Sequence, residues 1–188
     1  MKKIVLFASG SGSNVENIAK YFEEKGTVEI KGVFCNNPNA YVIERCDNLG
    51  IPCRVFSRNE FRDNLEILNE LRELKPDLIV LAGFLWLIPS AYIQQFSDKI
   101  INIHPALLPK YGGKGMYGHH VHQSVVDNKE KESGITIHYV NEHYDEGQVI
   151  KQVSCKVEPS DSADDVAAKV HELEYIYFPQ TIDELLNA

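Results

Sequence analysis

The sequence predicts an α/β fold, namely a Rossmann-like, doubly wound and mainly parallel sheet with a C-terminal antiparallel extension and a final helix. Two runs, Ile4–Ala8 and Leu78–Ala82, are apolar throughout, which is typical of parallel strands that are covered on both faces. Strand-like runs alternate with helical spacing over roughly the first hundred residues, so right-handed crossovers are expected. No repeat, low-complexity run or linker divides the chain.

The composition indicates one domain that covers residues 1–188. With 44% hydrophobic and 24% charged residues, a chain of 188 residues can form a core without disulfides or metal. No apolar run reaches the roughly 20 residues of a membrane span, and the run after Lys3 is too short for a signal peptide. We therefore expect a cytoplasmic protein with no membrane partner. The net charge of −8 argues against nucleic acid as a partner. The cysteines have no metal-ligand spacing and are predicted to be small buried hydrophobes: Cys35, Cys46, Cys53 and Cys155.

The stretch after the first strand has the composition of an anion-binding turn. Ser9–Asn14 contains only serine, glycine and asparagine, and it leads into a helix that Gly26 ends. The start of such a helix offers free backbone N–H groups and the positive end of the helix dipole. Val15 stands where a dinucleotide-binding fingerprint needs its third glycine, and there is no Walker lysine. We predict a phosphate site here; an ordinary tight turn is the alternative.

The other elements are assigned from apolar spacing and from the glycines and prolines that end each run. In order, they are a strand near 30–35, a helix at 40–49, a strand at 52–56, a helix at 59–74, the strand at 78–82, a brief helix at 89–96, a strand that ends at 104, a helix at 119–127, strands at 134–140 and 148–157, and a last helix that Ser162 caps and Pro179 breaks. The two strands after residue 130 are expected to form the antiparallel extension.

Asn102 and His104 are the first candidate catalytic residues. Strand alternation places both side chains on one face, and Pro105 ends the strand because it cannot donate to a sheet ladder. They therefore stand at a carboxyl-terminal strand end, which is where ligands bind in open parallel sheets. The alternative is a satisfied core histidine beside a turn-forming asparagine.

The segment Gly83–Ile88 carries five large apolar residues just outside a strand's carboxyl end. It either packs under the following helix or forms an apolar wall for a flat heterocycle, since Trp and Phe stack well on such rings.

A glycine-rich loop at 109–118 precedes three closely spaced histidines, His119, His120 and His122. This spacing raises a zinc hypothesis with His104 or Asp145 as further ligands. Against it, no cysteine joins the group and the HExxH spacing is absent, so no metal is predicted.

Three segments, Ser9–Asn14, Asn102–Pro109 and Asp145–Gly147, together resemble the folate-dependent formyltransferases over nearly the whole chain. The Asn-x-His-Pro-x-Leu-Leu-Pro pattern is specific to that superfamily, and the first turn is similar to the members that act on glycinamide ribonucleotide. The resemblance implies direct formyl transfer from 10-formyltetrahydrofolate, the co-substrate, to the amine of that nucleotide in de novo purine synthesis. It implies neither a metal nor a covalent intermediate.

The resemblance also implies roles for particular residues. The catalytic trio would be Asn102, His104 and Asp145, with Asn102 and a protonated His104 facing an oxyanion and Asp145 raising the His104 pKa. The residues implied for nucleotide binding are Ser11, Gly12, Ser13, Asn14, Lys110 and Glu174. The residues implied for folate binding are Arg62, Leu85, Trp86, Leu87, Ile88, Asn102, His138, Asn141 and Asp145. Residues 1–100 would be the phosphate- and nucleotide-binding half, and residues 101–188 the catalytic and folate-binding half.

Trp86 departs from the pattern, because relatives often carry arginine there, and the chain ends early at Ala188. The alternatives to the transferase are a formyltetrahydrofolate hydrolase and a non-catalytic anion-binding module; an oxidoreductase is weakened by the broken fingerprint. The hydrolase usually has an N-terminal regulatory domain, whereas the first strand here begins at residue 4. Small-molecule substrates and a monomer or homodimer are expected.

Overall fold

The computed structural model, which describes residues 1–188, contains seven strands and seven helices. The strands are β1 (Lys2–Ala8), β2 (Val28–Cys35), β3 (Cys53–Val55), β4 (Leu78–Leu81), β5 (Ile100–His104), β6 (Glu132–Tyr139) and β7 (Val149–Lys156). The helices are α1 (Ser13–Lys25), α2 (Val42–Leu49), α3 (Arg58–Arg62), α4 (Glu66–Leu74), α5 (Ser90–Gln95), α6 (His119–Asp127) and α7 (Ala163–Asn187).

All seven strands form one sheet in the order β3-β2-β1-β4-β5-β6-β7. The first five strands of that order are parallel, and β6 and β7 add antiparallel. The predicted mainly parallel sheet with an antiparallel extension and a final helix is therefore confirmed. The strand order reverses between β1 and β4, which is the switch point where a crevice opens in doubly wound sheets.

Two cores cover the two faces of the sheet, and β1 shows why. Its alternate residues Ile4, Leu6 and Ala8 face a core of 25 buried residues that is completed by α1, α2, α6 and α7. Val5 and Phe7 face a second core of 15 buried residues, largely from α4 and α5 with the aromatic rings of the 56–61 region. An apolar side chain is therefore required at every position of the strand, as its continuous apolar run indicated.

The prediction of a single helix at 59–74 is wrong, because the structure has two helices, α3 and α4, with a break between them. The Tyr92 hydroxyl donates to the Phe61 carbonyl at 2.8 Å. That carbonyl is the acceptor that the N–H of Leu65 would use in a continuous helix. Leu65 instead adopts a left-handed conformation with φ 55° and begins α4.

Pro179 does not break the last helix, contrary to the prediction, and α7 runs through it to Asn187. A proline cannot donate to the carbonyl four residues earlier, which here is Tyr175. The Asn17 amide donates to that carbonyl at 2.9 Å instead. A side chain from α1 thus supplies the missing donor, and the same bond docks α7 against α1.

No helix of the protein is both long and apolar enough to cross a membrane.

Candidate active site

A cavity of about 740 Å³ opens at the carboxyl ends of β1, β4 and β5. It exceeds the neighbouring pocket of about 410 Å³ beside Arg62, and it draws residues from both halves of the chain. Most of the predicted site residues line it, namely Ser11, Gly12, Ser13, Asn14, Leu85, Trp86, Leu87, Ile88, Asn102, His104, His138, Asp145 and Glu174. The switch point of the sheet is therefore the place where the predicted residues meet.

His104 ends β5 and is buried, with both ring nitrogens directed at protein groups. Nε2 lies 2.7 Å from the Tyr111 carbonyl oxygen, and since a carbonyl only accepts, Nε2 carries the hydrogen. Nδ1 faces the Asp145 carboxylate at 3.5 Å. Burial lowers the pKa of His104 more than the Asp145 charge raises it, so the net shift is downward from 6.5. Asp145 thus raises the pKa of His104 as the sequence predicts, but in the free protein burial outweighs this effect.

Asn102 lies directly opposite His138 in the β5–β6 pairing. The His138 Nδ1–H donates to the Tyr139 carbonyl at 2.8 Å, which leaves Nε2 as an acceptor. The Asn102 amide nitrogen lies 3.2 Å from this Nε2 and donates to it. One of the two amide hydrogens of Asn102 is thereby fixed, and the ring holds the amide in one orientation at the edge of the cavity.

Asp145 connects the two histidines. Its Oδ2 faces His104 and accepts from the Gly113 N–H at 3.0 Å, and its Oδ1 lies 3.6 Å from His138 Nε2. Burial raises the pKa of Asp145, but the neighbouring imidazoles of His138 and His104 and the Gly113 N–H together outweigh it, so the pKa lies below 3.8. The carboxylate is ionised at neutral pH and stands ready to pair with a protonated His104.

The turn before α1 has the geometry of an anion site. Gly12 has φ 74°, and a Cβ built on it would lie 2.9 Å from the Cα of Val42, so only glycine fits there. Ser13 then starts α1, whose first backbone N–H groups have no partner within the helix. Asn14 is buried and its Oδ1 has no hydrogen-bond partner.

Glu174 enters the same end of the cavity from α7 and is only 5% exposed. Its Oε2 accepts from the Asn14 amide at 3.2 Å and from His171 Nδ1 at 2.9 Å. Its other oxygen makes no hydrogen bond to the protein. One carboxylate oxygen therefore joins two elements that are 160 residues apart in the chain.

The opposite wall of the cavity is aromatic. The Trp86 ring lies 5.9 Å from Phe56, 5.8 Å from Phe61 and 6.3 Å from Phe84, and the Arg58 guanidinium lies 5.5 Å from the indole centroid. These separations are those of favourable aromatic pairs and of a cation–π contact. Position 86 is thus part of a packed apolar wall with a cation on its outer face.

Three predicted residues do not line the cavity. Lys110 lies on the surface, where Glu130 binds its amine at 3.1 Å, so its side chain is outside the cavity in this structure. Arg62 lines a smaller neighbouring pocket with Glu142, and the Asn141 side chain accepts from the His143 N–H in its own turn. Arg62 shares its pocket with Leu87 and Ile88 of the apolar wall, and neither Arg62 nor Asn141 lines the cavity.

His171 and Arg58 are not among the residues that the sequence predicts for the site, and His122 is considered there only as a metal ligand. His171 lies three residues before Glu174 on one helix face, a spacing that the sequence does offer as a signal. His122 is 4% exposed and its Nδ1 has no partner, whereas the sequence shows only a cluster of histidines. No local pattern marks Arg58. No three histidine, cysteine or acidic side chains are arranged as a metal site.

The fold is a doubly wound α/β fold with a ligand-sized cavity at its switch point. The chain belongs to the formyl transferase family, whose family model matches residues 2–182. Its similarity to phosphoribosylglycinamide formyltransferases is close over the full length. That of Haemophilus influenzae is 37% identical over 187 residues, which cover 97% of this chain and 86% of the relative. That of Bacillus subtilis is 36% identical, with 100% of this chain and 96% of the relative covered.

Solved structures give the same result. Phosphoribosylglycinamide formyltransferase from Streptococcus pneumoniae superposes with a TM-score of 0.87 at 34% identity, with 99% of each chain covered. Glycinamide ribonucleotide transformylase 1 from Geobacillus kaustophilus has a TM-score of 0.88 at 33% identity, again with 99% of each chain covered.

Proposed function

We propose that the protein transfers the formyl group of 10-formyltetrahydrofolate to the amine of glycinamide ribonucleotide, the phosphoribosylglycinamide formyltransferase reaction of de novo purine biosynthesis. One observation carries the proposal. A single cavity holds an anion-binding helix start at one end, an apolar aromatic wall at the other, and Asn102, His104 and Asp145 between them. These are the parts needed to bring a phosphorylated amine to a folate and to stabilise an oxyanion.

The nucleotide fits the polar end. Its phosphate would accept from the backbone N–H groups of Gly12, Ser13 and Asn14, with the Ser11 and Ser13 hydroxyls as further donors. The free oxygen of Glu174 would accept from the ribose hydroxyls. Lys110 is left out of this site because Glu130 holds it outside the cavity.

The folate fits the apolar end. The pterin would lie along Leu85–Ile88, where flat ring surface and backbone groups are both available. His138 and Asn102 close this part of the cavity from the sheet side. Arg62 and Asn141 stand nearby at its rim, so any contact they make would be with the outer part of the folate.

The chemistry follows from the trio. The amine attacks the formyl carbon, and the carbonyl oxygen becomes an oxyanion that needs donors fixed in advance. Asn102 has one amide hydrogen still free for this role. His104 can supply the second, because a developing negative charge favours its imidazolium, which Asp145 stabilises. The Nε2–H must first leave the Tyr111 carbonyl, so the loop at 110–118 has to shift when the substrates bind.

The proton then moves from the attacking amine to the departing folate nitrogen as the tetrahedral intermediate collapses. His104 or an ordered water can carry it. The products are the N-formyl nucleotide and tetrahydrofolate, and no covalent enzyme intermediate is needed.

The test is a formyl-transfer assay with purified protein, glycinamide ribonucleotide and 10-formyltetrahydrofolate, run with and without a chelator. We expect formylated nucleotide at a rate that the chelator leaves unchanged. Release of formate without formylated nucleotide would favour the hydrolase. Binding of both ligands without any turnover would favour the non-catalytic module.

A further inference from the structure

His171 forms part of a polar link at the nucleotide end of the cavity that the proposed reaction leaves without a role. Its Nδ1 donates to Glu174 Oε2 at 2.9 Å, and the same oxygen accepts from the Asn14 amide at 3.2 Å. Glu174 is almost fully buried, whereas the His171 side chain is 50% exposed. The imidazole therefore stands between solvent and a buried carboxylate, beside the turn that starts α1.

The nucleotide end of the cavity has few arginine or lysine side chains that could face a phosphate. Arg45, the nearest arginine below the turn, pairs with Glu16 and donates to the Ser11 carbonyl at 2.8 Å. Lys114 is the only lysine that lines the cavity, and it lies on the exposed glycine-rich loop. A phosphate at the start of α1 would thus have the Glu174 carboxylate as its close charged neighbour, which is unfavourable unless a cation stands with them.

Two enclosed polar atoms indicate that a ligand completes this end. Asn14 Oδ1 and His122 Nδ1 each lack a hydrogen-bond partner, and both residues are more than nine-tenths buried and line the cavity. Buried polar atoms are rarely left unpaired in folded proteins. A polar ligand such as a ribose phosphate, placed between α1, α6 and α7, would supply the missing partners.

We propose that His171 acts as the cation of the nucleotide site, so that binding of the ribose phosphate is strong when its imidazole is protonated and weakens as the pH rises. This inference rests on the proposed function for the identity of the ligand. As an imidazolium, His171 keeps its bond to Glu174, offsets the carboxylate charge and leaves its Nε2–H for a phosphate or ribose oxygen. His171 is a positioning and charge-supplying residue in this scheme and does not touch the reacting atoms.

The groups around His171 support its protonation near neutral pH. The bond to Glu174 raises the pKa of His171 above 6.5, and burial opposes this only in part. On α7, the Tyr175 ring also stacks on it at 6.1 Å. From α6, His122 and His119 face this region; burial lowers the pKa of His122, and His119 Nδ1 lies 3.9 Å from Asp164. Because the pKa is raised, the charge is present below that pKa and is lost as the pH rises through it.

The experiment measures the affinity of ribose 5-phosphate by calorimetry between pH 6.5 and 9 in four proteins. Ribose 5-phosphate is used because it lacks the amine of the full substrate, which titrates in the same range. The proteins are the wild type, His171→Gln, His171→Lys and the control His120→Gln. His120 is exposed, stacks on Tyr117 and does not line the cavity.

For the wild type we expect Kd to rise about tenfold across this pH range, as a charge-assisted bond is lost. His171→Gln should bind about tenfold more weakly at pH 6.5 and show a flat profile. His171→Lys should bind ribose 5-phosphate tightly, with a Kd that does not change with pH, because lysine stays charged throughout this range. His120→Gln should follow the wild type. In each variant the KM for 10-formyltetrahydrofolate serves as the folding control and should stay within twofold of the wild type.

A wild-type pH profile in His171→Gln would overturn the inference, and so would a pH-dependent His171→Lys. The two proposals can fail separately. If no formylated nucleotide forms but the ribose 5-phosphate profile follows His171, the reaction is misassigned and the role of His171 stands. If formyl transfer is normal and the pH profile of Kd is the same in the wild type and the His171 variants, only the inference about His171 is wrong.

Discussion

The two ends of the cavity are held together by different forces. At the polar end, Glu174 of α7 meets Asn14 of α1 through single hydrogen bonds between residues that are 160 positions apart. At the apolar end, Phe56, Phe61, Phe84 and Trp86 pack in one aromatic cluster. Replacing one partner removes a hydrogen bond completely, whereas the stability of a packed cluster is the sum of many weak contacts, of which one substitution removes only some. One substitution should therefore disturb the polar end abruptly and the apolar end gradually.

The largest effect is expected between the two ends, at Asp145. Asp145→Asn keeps the shape but removes the charge that stabilises a protonated His104. Loss of a preorganised charged donor costs about a hundredfold in kcat, with little change in KM for either substrate, because the interaction matters mainly in the transition state. Steady-state kinetics with the two substrates varied in turn measures this.

A titration of His104 by NMR distinguishes the electrostatic role from a structural one. Asp145 raises the pKa of His104 against the effect of burial, so the pKa should fall further in Asp145→Asn. Glu146→Gln removes an exposed charge next to it and should change neither quantity. Near-normal kcat with an unchanged His104 titration in Asp145→Asn would remove Asp145 from the trio.

The polar end can be tested at Gly12, with Gly10 as a matched control in the same turn. Gly12→Ala places a side chain on a residue with φ 74° and against Val42, whereas a Cβ at Gly10 has nothing within 4 Å. The left-handed conformation costs a non-glycine residue roughly 1–2 kcal/mol, which corresponds to about a tenfold rise in KM for the nucleotide. Gly10→Ala should stay within about twofold of the wild type, and KM for folate should not change in either variant. Equal losses for both substrates would contradict the assignment of this turn to the nucleotide.

The apolar end should respond to Trp86 in steps. Trp86→Ala removes the ring that contacts Phe56 and Phe61, and we expect KM for the folate to rise about fivefold while KM for the nucleotide is unchanged. Trp86→Phe keeps an aromatic surface and should raise it less than twofold. A rise in nucleotide KM of the same size would show that the two ends are not independent.

How much of this could be predicted from the sequence depends on how local each feature is. The turn at Ser9–Asn14, the strand end at Asn102 and His104, and the apolar stretch Leu85–Ile88 are each written in a few consecutive residues, and all three line the cavity. The position of Lys110 outside the cavity could not be predicted, because its partner, Glu130, is 20 residues away and no pattern connects them.

The net downward shift of the His104 pKa could not be predicted for a related reason. The presence of Asp145 follows from the motif, but the burial that outweighs it depends on the packing of the whole sheet. The continuous α7 is another such case. A proline predicts a helix break, and the sequence does not show that the Asn17 amide, more than 150 positions earlier, donates to the Tyr175 carbonyl in its place. Features that depend on a few consecutive residues can therefore be predicted from the sequence, whereas effects of residues distant in the chain cannot.

The smallest expected effect concerns the long-range hydrogen bond between Asn17 of α1 and the Tyr175 carbonyl of α7. Asn17→Ala removes the donor to the Tyr175 carbonyl, and we expect the free energy of unfolding to fall by about 1 kcal/mol. In a Pro179→Ala background the backbone N–H of residue 179 returns to the same carbonyl, so Asn17→Ala should then cost less than about 0.3 kcal/mol. Urea denaturation of the four proteins in this cycle gives the coupling energy directly. Because the bond docks α7 on α1, KM for the nucleotide should rise by less than about threefold in Asn17→Ala, and KM for the folate should not move. Equal costs of Asn17→Ala in both backgrounds would mean that the amide does not replace the missing donor, and the continuity of α7 through Pro179 would need another cause.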